Sequence, residues 1–436
     1  MDIELINTGS ELLLGRVLNT HQQWLCRRLS DLGHQVTRQV AVPDTAQDIQ
    51  QAVREALARA DLIIVTGGLG PTSDDITRDL IAQLLDKKLV RDETVFAHIK
   101  NYFAARNRPM PVNNDVQAMV PEGAIVLANP NGTAPGLAMR VEGGRWNVED
   151  REILQPPTSI LNPQPSSPNK WLIMLPGPPR ELRPMFDAAV VPILRREFPL
   201  AVPFVCRTLR TGGIGESAVQ EKIQSPLAAL VTEGLEVGYC ARVGQVDVRL
   251  AARRADAEKI ARAAEAVVQK ILAANIYGFD DEEIEEVIVR LLTEKKKTLA
   301  LAESCTGGGI ANLVTNVPGA SAVFLGGVFS YANSAKEEFL GVRAETLQQH
   351  GAVSEAVARE MAEGARQKFG SDFAVAVTGI AGPGGGTPEK PVGTVFIALA
   401  GAAGTVVERK LNVYEREAFK QLTAQQALEM LRAQLV

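Results

Sequence analysis

The stretch LIIVTGGLGPTSDDITRD, residues 62–79, decides the fold class. A short apolar run meets a glycine-rich turn, and a helical pattern, ITRDLIAQLL, follows at once. An apolar run bounded by glycine is the pattern of a strand buried on both faces. A strand that hands directly to a helix is half of a βαβ unit. The neighbouring segments repeat the alternation. Upstream, IELINTG reads as a strand and NTHQQWLCRRLSDLG as a helix stopped by Gly33. QVTRQVAV reads as the next strand, and a helix runs from Thr45 to about Ala60. Downstream, EGAIVLAN and WLIMLPG read as two further strands. These elements predict an α/β domain with a mostly parallel sheet over residues 1–200.

Residues 142–170 break the rhythm. Five prolines and little apolar periodicity predict an exposed insertion or a long hairpin there. Residues 204–278 carry a β-α-β-β-α-β order, the pattern of a small α+β split-βαβ sandwich. Residues 280–436 open with DDEEIEEVIVRLLTEKKK, acidic in its first turn and basic at its end, as the helix dipole favours. The strands TLALAES, GGVFSYAN, FAVAVTG and TVFIALA then alternate with helices, which predicts a second α/β domain.

Composition narrows the function classes. A chain of 436 residues has room for about two to four domains. Hydrophobic residues make up 46% and charged residues 22%, the balance of a soluble globular protein. A net charge of −5, a pI of about 5.7 and 5% aromatics argue against a phosphate-backbone binder, so no direct nucleic-acid contact is expected. The four cysteines are scattered and form no C-x-x-C pair, which argues against a zinc site or a disulfide framework. They fit a reducing compartment. The start MDIELINTGSELLLG lacks the pattern of a signal peptide, and a cytoplasmic location is expected. Ser304 to Ala335 carries no charge, but it is too rich in Gly, Asn, Ser and Thr, and too interrupted by Pro318, for a membrane span. A buried core around a site explains that run better, and no membrane partner is expected.

Within that run lies ESCTGGG, residues 303–309, with Ser304, Cys305 and Thr306 as adjacent nucleophile candidates. It joins a strand to a helix, where N–H groups point into the turn and can hold an anion or an oxyanion. It also reads as a plain turn capped by Ser304 or Thr306. Cys305 at a helix start would be acidified. No histidine is evidently paired with it, since this domain holds only His350, and packing is the plainer reading. In FSYANSAK, residues 329–336, Tyr331, Asn333 and Lys336 follow a strand. A lysine against apolar walls loses proton affinity and can serve as the base a serine needs. Alternatively, Lys336 is a surface residue of the next helix. VTGIAGPGGG, residues 377–386, with Thr378 and Gly379 near its start, is a loop that can wrap a phosphate or a ribose.

In the first domain, Gly67, Gly68 and Thr72 form a comparable loop. Asp74 and Asp75 either steady the following helix or ligate Mg²⁺ against a bound phosphate. Asp44 follows a strand and could converge on the same side of the sheet. NPNGTAPG, residues 129–136 with Asn131, and LPGPPRE, residues 175–181, are two more loops after strands. Ligands of open α/β sheets gather at such strand ends.

In order along the chain, AESCTGG, SYANSAK, HGAVSE, TGIAGPGGG and KPVGTV resemble the C-terminal domain of the CinA family, the nicotinamide mononucleotide deamidase type. TGSELLLG, TGGLGPTSDDITR, NPNGTAPG and LPGPPREL are similar to the CinA N-terminal domain, which resembles the three-layer molybdopterin-binding fold. TGGIGES, residues 211–217, resembles the start of the CinA middle domain. The resemblance implies a serine amidohydrolase that converts nicotinamide mononucleotide to nicotinate mononucleotide and ammonia without a cofactor. Ser304 matches the nucleophile, and Tyr331 and Lys336 match its activating partners. Thr306, Gly307 and Gly308 would cradle the oxyanion, with Asn333, Thr378 and Gly379 near the substrate. Arg416, in YEREAFK, matches a family arginine near the substrate, although Tyr414 and Glu415 stand where the family usually has glycine and aspartate.

For the N-terminal domain the resemblance implies an ADP-ribose pyrophosphatase. Gly67, Gly68, Thr72, Asp74 and Asn131 would form its site, with Asp44 and Asp75 on a divalent cation such as Mg²⁺. A homodimer is expected of this fold class. The competing reading is a nucleotide- or pterin-binding protein without turnover, which supports competence or the DNA-damage response through protein partners. Pterin binding without ADP-ribose cleavage would point instead to a molybdenum cofactor enzyme.

Overall fold

The computed structural model describes residues 1–142 and 169–436, in two compact units, Met1–Val202 and Pro203–Val436. The insertion expected at 142–170 lies, apart from its ends, outside the described residues.

The first unit contains strands β1 (Ile3–Thr8), β2 (Val36–Val42), β3 (Leu62–Thr66), β4 (Leu89–Arg91), β5 (Met119–Pro121), β6 (Ile125–Leu127), β7 (Gly136–Glu142) and β8 (Asn169–Leu175). Six of them form one sheet in the order β2-β1-β3-β8-β7-β6, and β4 pairs with β5 separately. The first four strands of the sheet run parallel, while β7 and β6 add an antiparallel edge. Every residue of β1 and β3 is buried. Successive side chains of a strand point to opposite faces. Leu62 and Ile64 accordingly enter a core with Leu25, Leu29 and Phe186, while Ile63 and Val65 enter another with Ile49, Val53 and Ile81. Two cores on one sheet give three layers. The helices start where the sequence has caps: the Asn19 side chain accepts from the Gln22 N–H, and Thr45 from the Asp48 N–H.

Two details differ from the expected pattern. EGAIVLAN pairs only over Ile125–Leu127, and GLAMRVE forms β7, which was not expected as a strand. The loop NPNGTAPG, read as turn chemistry, conceals the strand that begins at its last glycine.

The second unit opens with β9 (Phe204–Gly212), β10 (Leu235–Arg242), β11 (Gln245–Arg253) and β12 (Ile276–Phe279), ordered β10-β11-β9-β12 and antiparallel throughout. Helices Glu216–Thr232 and Ala257–Leu272 share one core with these strands around Val219, Val248 and Ile260. Strand β11 separates β9 from β10, and β9 separates β11 from β12, which is the expected split-βαβ arrangement.

A five-stranded sheet follows: β13 (Leu299–Glu303), β14 (Phe324–Phe329), β15 (Phe373–Gly379), β16 (Thr394–Gly401) and β17 (Gly404–Leu411), ordered β14-β13-β15-β16-β17. Strand β13 runs parallel to both neighbours. Side-chain size alternates along the strands. Leu299, Leu301, Val375 and Val377 meet helices Ile284–Lys295 and Arg416–Leu435 on one face. Ala300, Ala302, Ala374 and Ala376 meet helix Glu355–Phe369 on the other. That helix also presses on the Leu340 carbonyl, where a β-carbon on Gly364 would lie 1.8 Å from the oxygen. The C-terminal helix ties the two sheets of this unit together. Arg432 donates to the Ala274 carbonyl at 2.8 Å, and Gln245 to Gln425 at 2.7 Å. No described helix is long and apolar enough to cross a membrane.

Candidate active site

Strand β13 runs buried to Glu303, and the chain then turns sharply. The Ser304 N–H donates to the Val377 carbonyl at 3.0 Å, and the Gly307 N–H to the Ser304 carbonyl at 3.2 Å. These bonds fix the Ser304 backbone and leave its hydroxyl for Lys336. Lys336 sits on helix Asn333–Leu340 and is 1% exposed, so it is not a surface residue. Its Nζ lies 3.2 Å from Ser304 Oγ and donates to the carbonyls of Ser330 at 2.6 Å and Tyr331 at 3.4 Å. Burial holds the Lys336 amine below its ordinary pKa. A neutral amine at that distance can accept the serine proton.

Cys305 faces the core beside Leu299 and Ile310. Burial pushes its thiol up to about 12. Desolvation therefore outweighs the acidifying effect expected of a helix start, and Cys305 is a packing residue.

The glycine turn is organised by Glu303, a residue the sequence reading passed over. It is 1% exposed. Its Oε2 accepts from the Thr306 hydroxyl at 2.6 Å and from the N–H groups of Gly308 and Ile310 at 3.0 and 3.1 Å. Its Oε1 accepts from the Ala311 N–H at 2.8 Å. The start of helix Gly309–Thr315 is thus filled by the chain's own carboxylate. Of the expected oxyanion cradle, the Gly307 and Gly308 N–H groups are already bonded, to the Ser304 carbonyl and to Glu303, and the buried Thr306 hydroxyl is bonded to Glu303. Gly307 and Gly308 are required for another reason, since their φ values of +61° and +94° are left-handed. The available signal was an acid ending an apolar strand just before a helix start. Glu303→Ala removes the acceptor of four donors, and chemical denaturation of that variant is expected to show a loss of at least about 3 kcal/mol.

Tyr331 takes a different place from the expected one. Its ring is exposed, and its hydroxyl accepts from Arg416 Nη2 at 2.9 Å, so its carbonyl rather than its hydroxyl contacts Lys336. Strand β14 has ended at Phe329, and the next two carbonyls turn inward to the lysine while the ring turns out. Arg416 meets the exposed Tyr331 hydroxyl. Its Nη1 donates to the Gly382 carbonyl at 2.9 Å and joins loop 377–386 to Tyr331. Two expected substrate contacts serve the scaffold instead. Thr378 is 1% exposed and donates to the Ala352 carbonyl at 2.8 Å. Gly379 ends β15 where a β-carbon would lie 2.9 Å from the Thr394 carbonyl oxygen. Asn333 is exposed at the first position of its helix.

In the first unit a cavity of about 560 Å³ opens at the ends of the parallel strands. Asp44, Asp74, Asp75, Gly67 and Gly68 line it together. Thr72 and Asn131 do not line it. Thr72 holds Asp75 through its hydroxyl and N–H, and Asn131 donates to the Arg180 carbonyl at 3.1 Å. His21, Glu11 and Glu181 line the cavity without having been anticipated. His21 Nδ1 is buried without a hydrogen-bond partner among the described residues, and burial lowers the pKa of the ring. Among the described residues no three His, Cys, Asp or Glu side chains form a metal cage. Asp44 and Asp75 on one cavity suit a cation that arrives with phosphate oxygens and water.

The chain matches three families in sequence order. Residues 4–196 match the probable molybdopterin binding domain, residues 206–278 the damage-inducible protein CinA KH domain, and residues 281–435 the CinA C-terminal domain. A CinA-like protein of Akkermansia muciniphila is 45% identical over 427 residues, covering 98% of this chain and 95% of that protein. A CinA-like protein of Gemmatimonas aurantiaca is 39% identical over 437 residues, covering 99% and 96%. The crystal structure of the competence/damage inducible protein CihA from Agrobacterium tumefaciens is 42% identical over 35% of this chain and 96% of that one, with a TM-score of 0.34. Identity of this order along the whole length, with all three domains in order, means that the chain belongs to the CinA family.

Proposed function

We propose that the second unit hydrolyses the carboxamide of nicotinamide mononucleotide, giving nicotinate mononucleotide and ammonia. One observation carries the reading: a buried lysine, lowered in pKa, lies 3.2 Å from the hydroxyl of a serine at a strand–helix turn. Neutral Lys336 takes the Ser304 proton as Oγ attacks the amide carbon. The resulting ammonium, buried behind Ser304, lies beside the charge that develops, where its field is stronger than in bulk water. That proton passes to the leaving nitrogen, and ammonia departs from an acyl-serine. Water then adds to the ester and gives one proton to Lys336, which returns it to Ser304 as the acid is released, and the acid loses its remaining proton to solvent as the carboxylate. General-base help of this kind contributes about 10²–10⁴ in rate.

The test is release of ammonia and nicotinate mononucleotide by the full chain, with acid quenching and mass analysis of the Ser304 peptide. An ester of nicotinate mononucleotide, through its pyridine carboxyl group, on that peptide is expected. Steady ammonia release with labelled acyl groups only elsewhere would sink the assignment, as would no release at all.

The cavity of the first unit favours a second, separate activity. Five carboxylates, Asp44 and Asp75 among them, and a glycine loop line a space of nucleotide size. They fit ADP-ribose with a divalent cation, whose chemistry when bound is neutralisation of the pyrophosphate. In that site Asp44 and Asp75 would hold the cation, and the 67–70 turn would border the phosphates. AMP formed from ADP-ribose with Mg²⁺, and lost in Asp75→Asn, is the expected result. Equal AMP formation by both proteins would refute it.

A further inference from the structure

We infer that Lys420 and Arg416 form a two-cation clamp for the phosphate of a mononucleotide at the mouth of the Ser304 site. The inference rests on the amidohydrolase reading of that site and adds the feature that separates a nucleotide from its nucleoside.

Both residues belong to the C-terminal helix Arg416–Leu435, four positions apart and therefore on one face. Arg416 reaches the site through the Tyr331 hydroxyl and the Gly382 carbonyl. Both partners are neutral, so its charge is uncompensated. Lys420 reaches the nucleophile turn itself. Its Nζ lies 3.9 Å from the point where a β-carbon on Gly307 would stand. Gly307 is exposed and carries no side chain, so nothing of its own separates the ammonium from the turn. Lys420 is half-buried and has no hydrogen-bond or ion-pair partner among the described residues. Glu415 and Glu417 flank Arg416 in sequence, yet neither pairs with either cation among the described residues.

Lys420 beside the nucleophile turn and Arg416 on the same helix face, neither with a carboxylate partner among the described residues, call for an anion on the substrate. The other positive features of the site cannot serve it. Lys336 lies buried behind Ser304 and acts while neutral. The N–H groups at the start of helix Gly309–Thr315 are bonded to Glu303. A phosphate with two or more acceptor oxygens suits a guanidinium and an ammonium four positions apart on one helix face. The positive end of the twenty-residue helix that begins at Arg416 adds to the same field.

The experiment compares equilibrium binding of nicotinate mononucleotide and nicotinate riboside to the full chain, its Lys420→Met variant and its Lys420→Arg variant. These ligands are the product and its dephosphorylated form, so turnover does not interfere. The unaltered protein is expected to prefer the mononucleotide. Lys420→Met should weaken the mononucleotide by about ten- to a hundredfold and leave the riboside unchanged. Lys420→Arg should recover most of the loss. Equal weakening of both ligands would mark a structural role and overturn the clamp, as would an unchanged preference or none in the unaltered protein. Ammonia release is assayed in parallel. A phosphate-specific loss without any ammonia release from nicotinamide mononucleotide would uphold the clamp and remove the deamidase reading. Ammonia release without the phosphate-specific loss would do the reverse.

Discussion

Ser304→Ala is expected to lower turnover of nicotinamide mononucleotide by about ten-thousandfold or more, the scale on which nucleophile deletions act. Two other hydroxyl or thiol groups stand next in the chain, and neither can substitute. Cys305 is 6% exposed with a thiol pushed up to about 12, so almost none of it is thiolate near neutral pH. Thr306 donates its proton to Glu303 and is fully buried. The turn should survive the change, because its bonds at this position come from the Ser304 backbone. Ammonia release measures the activity, and the melting temperature checks the fold. A variant that melts like the unaltered protein and keeps more than about one per cent of the rate would transfer the nucleophile's role to another group.

Lys336→Arg is expected to be nearly as damaging, with a loss of about a thousandfold or more, because arginine keeps the charge and cannot be deprotonated in a protein. Lys336→Met should lose a similar amount. Recovery of activity in Lys336→Arg would show that charge alone is needed and that no base acts there. The pH dependence has a definite sign. Only the neutral amine accepts a proton, so kcat/KM of the unaltered protein should rise with pH, with an inflection below the ordinary lysine value of 10.5. Stability follows the same direction. The folded pKa is depressed, so the unfolded chain binds more protons between the lowered value and 10.5, and stability rises with pH across that window. Its contribution is present above the unfolded value and lost as pH falls through the folded one. Urea unfolding at about pH 7 and about pH 9.5 should therefore show the unaltered protein gaining on Lys336→Met as pH rises.

The α/β architecture was legible because its central strands are nearly continuous apolar runs ended by glycine turns, as in LIIVTGG and TLALAES. Strand β7 was not, because its alternation follows directly on a loop dense in Pro, Asn and Gly. The pairing of Ser304 with Lys336 was legible as chemistry but not as geometry. It depends on the parallel register of β13 and β14, which sets Glu303 opposite Phe329 and so brings the two strand exits together. That register is a tertiary fact. The charge-free run before Lys336 hinted at its burial, and the polar look of NSAKEEFL argued equally for the surface. The roles of Tyr331 and Glu303 depend on which way single side chains turn at a strand end. Spacing along the chain does not carry that information. Lys420 stood in plain view in YEREAFK, four residues after Arg416, and its meaning emerges only when Gly307 is found beside it.

The carboxylate of Glu303 makes the nucleophile turn a self-occupied anion hole. A helix start that already holds an anion has no room for a visitor. Phosphate, sulfate and carboxylate metabolites, abundant in any cell, are therefore barred from the most obvious electropositive spot beside Ser304. Inhibition by small anions should arise only by competition at Arg416 and Lys420, on the substrate side of the serine. Under the proposed reading, the resident acid separates the position that recognises charge from the position that breaks the bond.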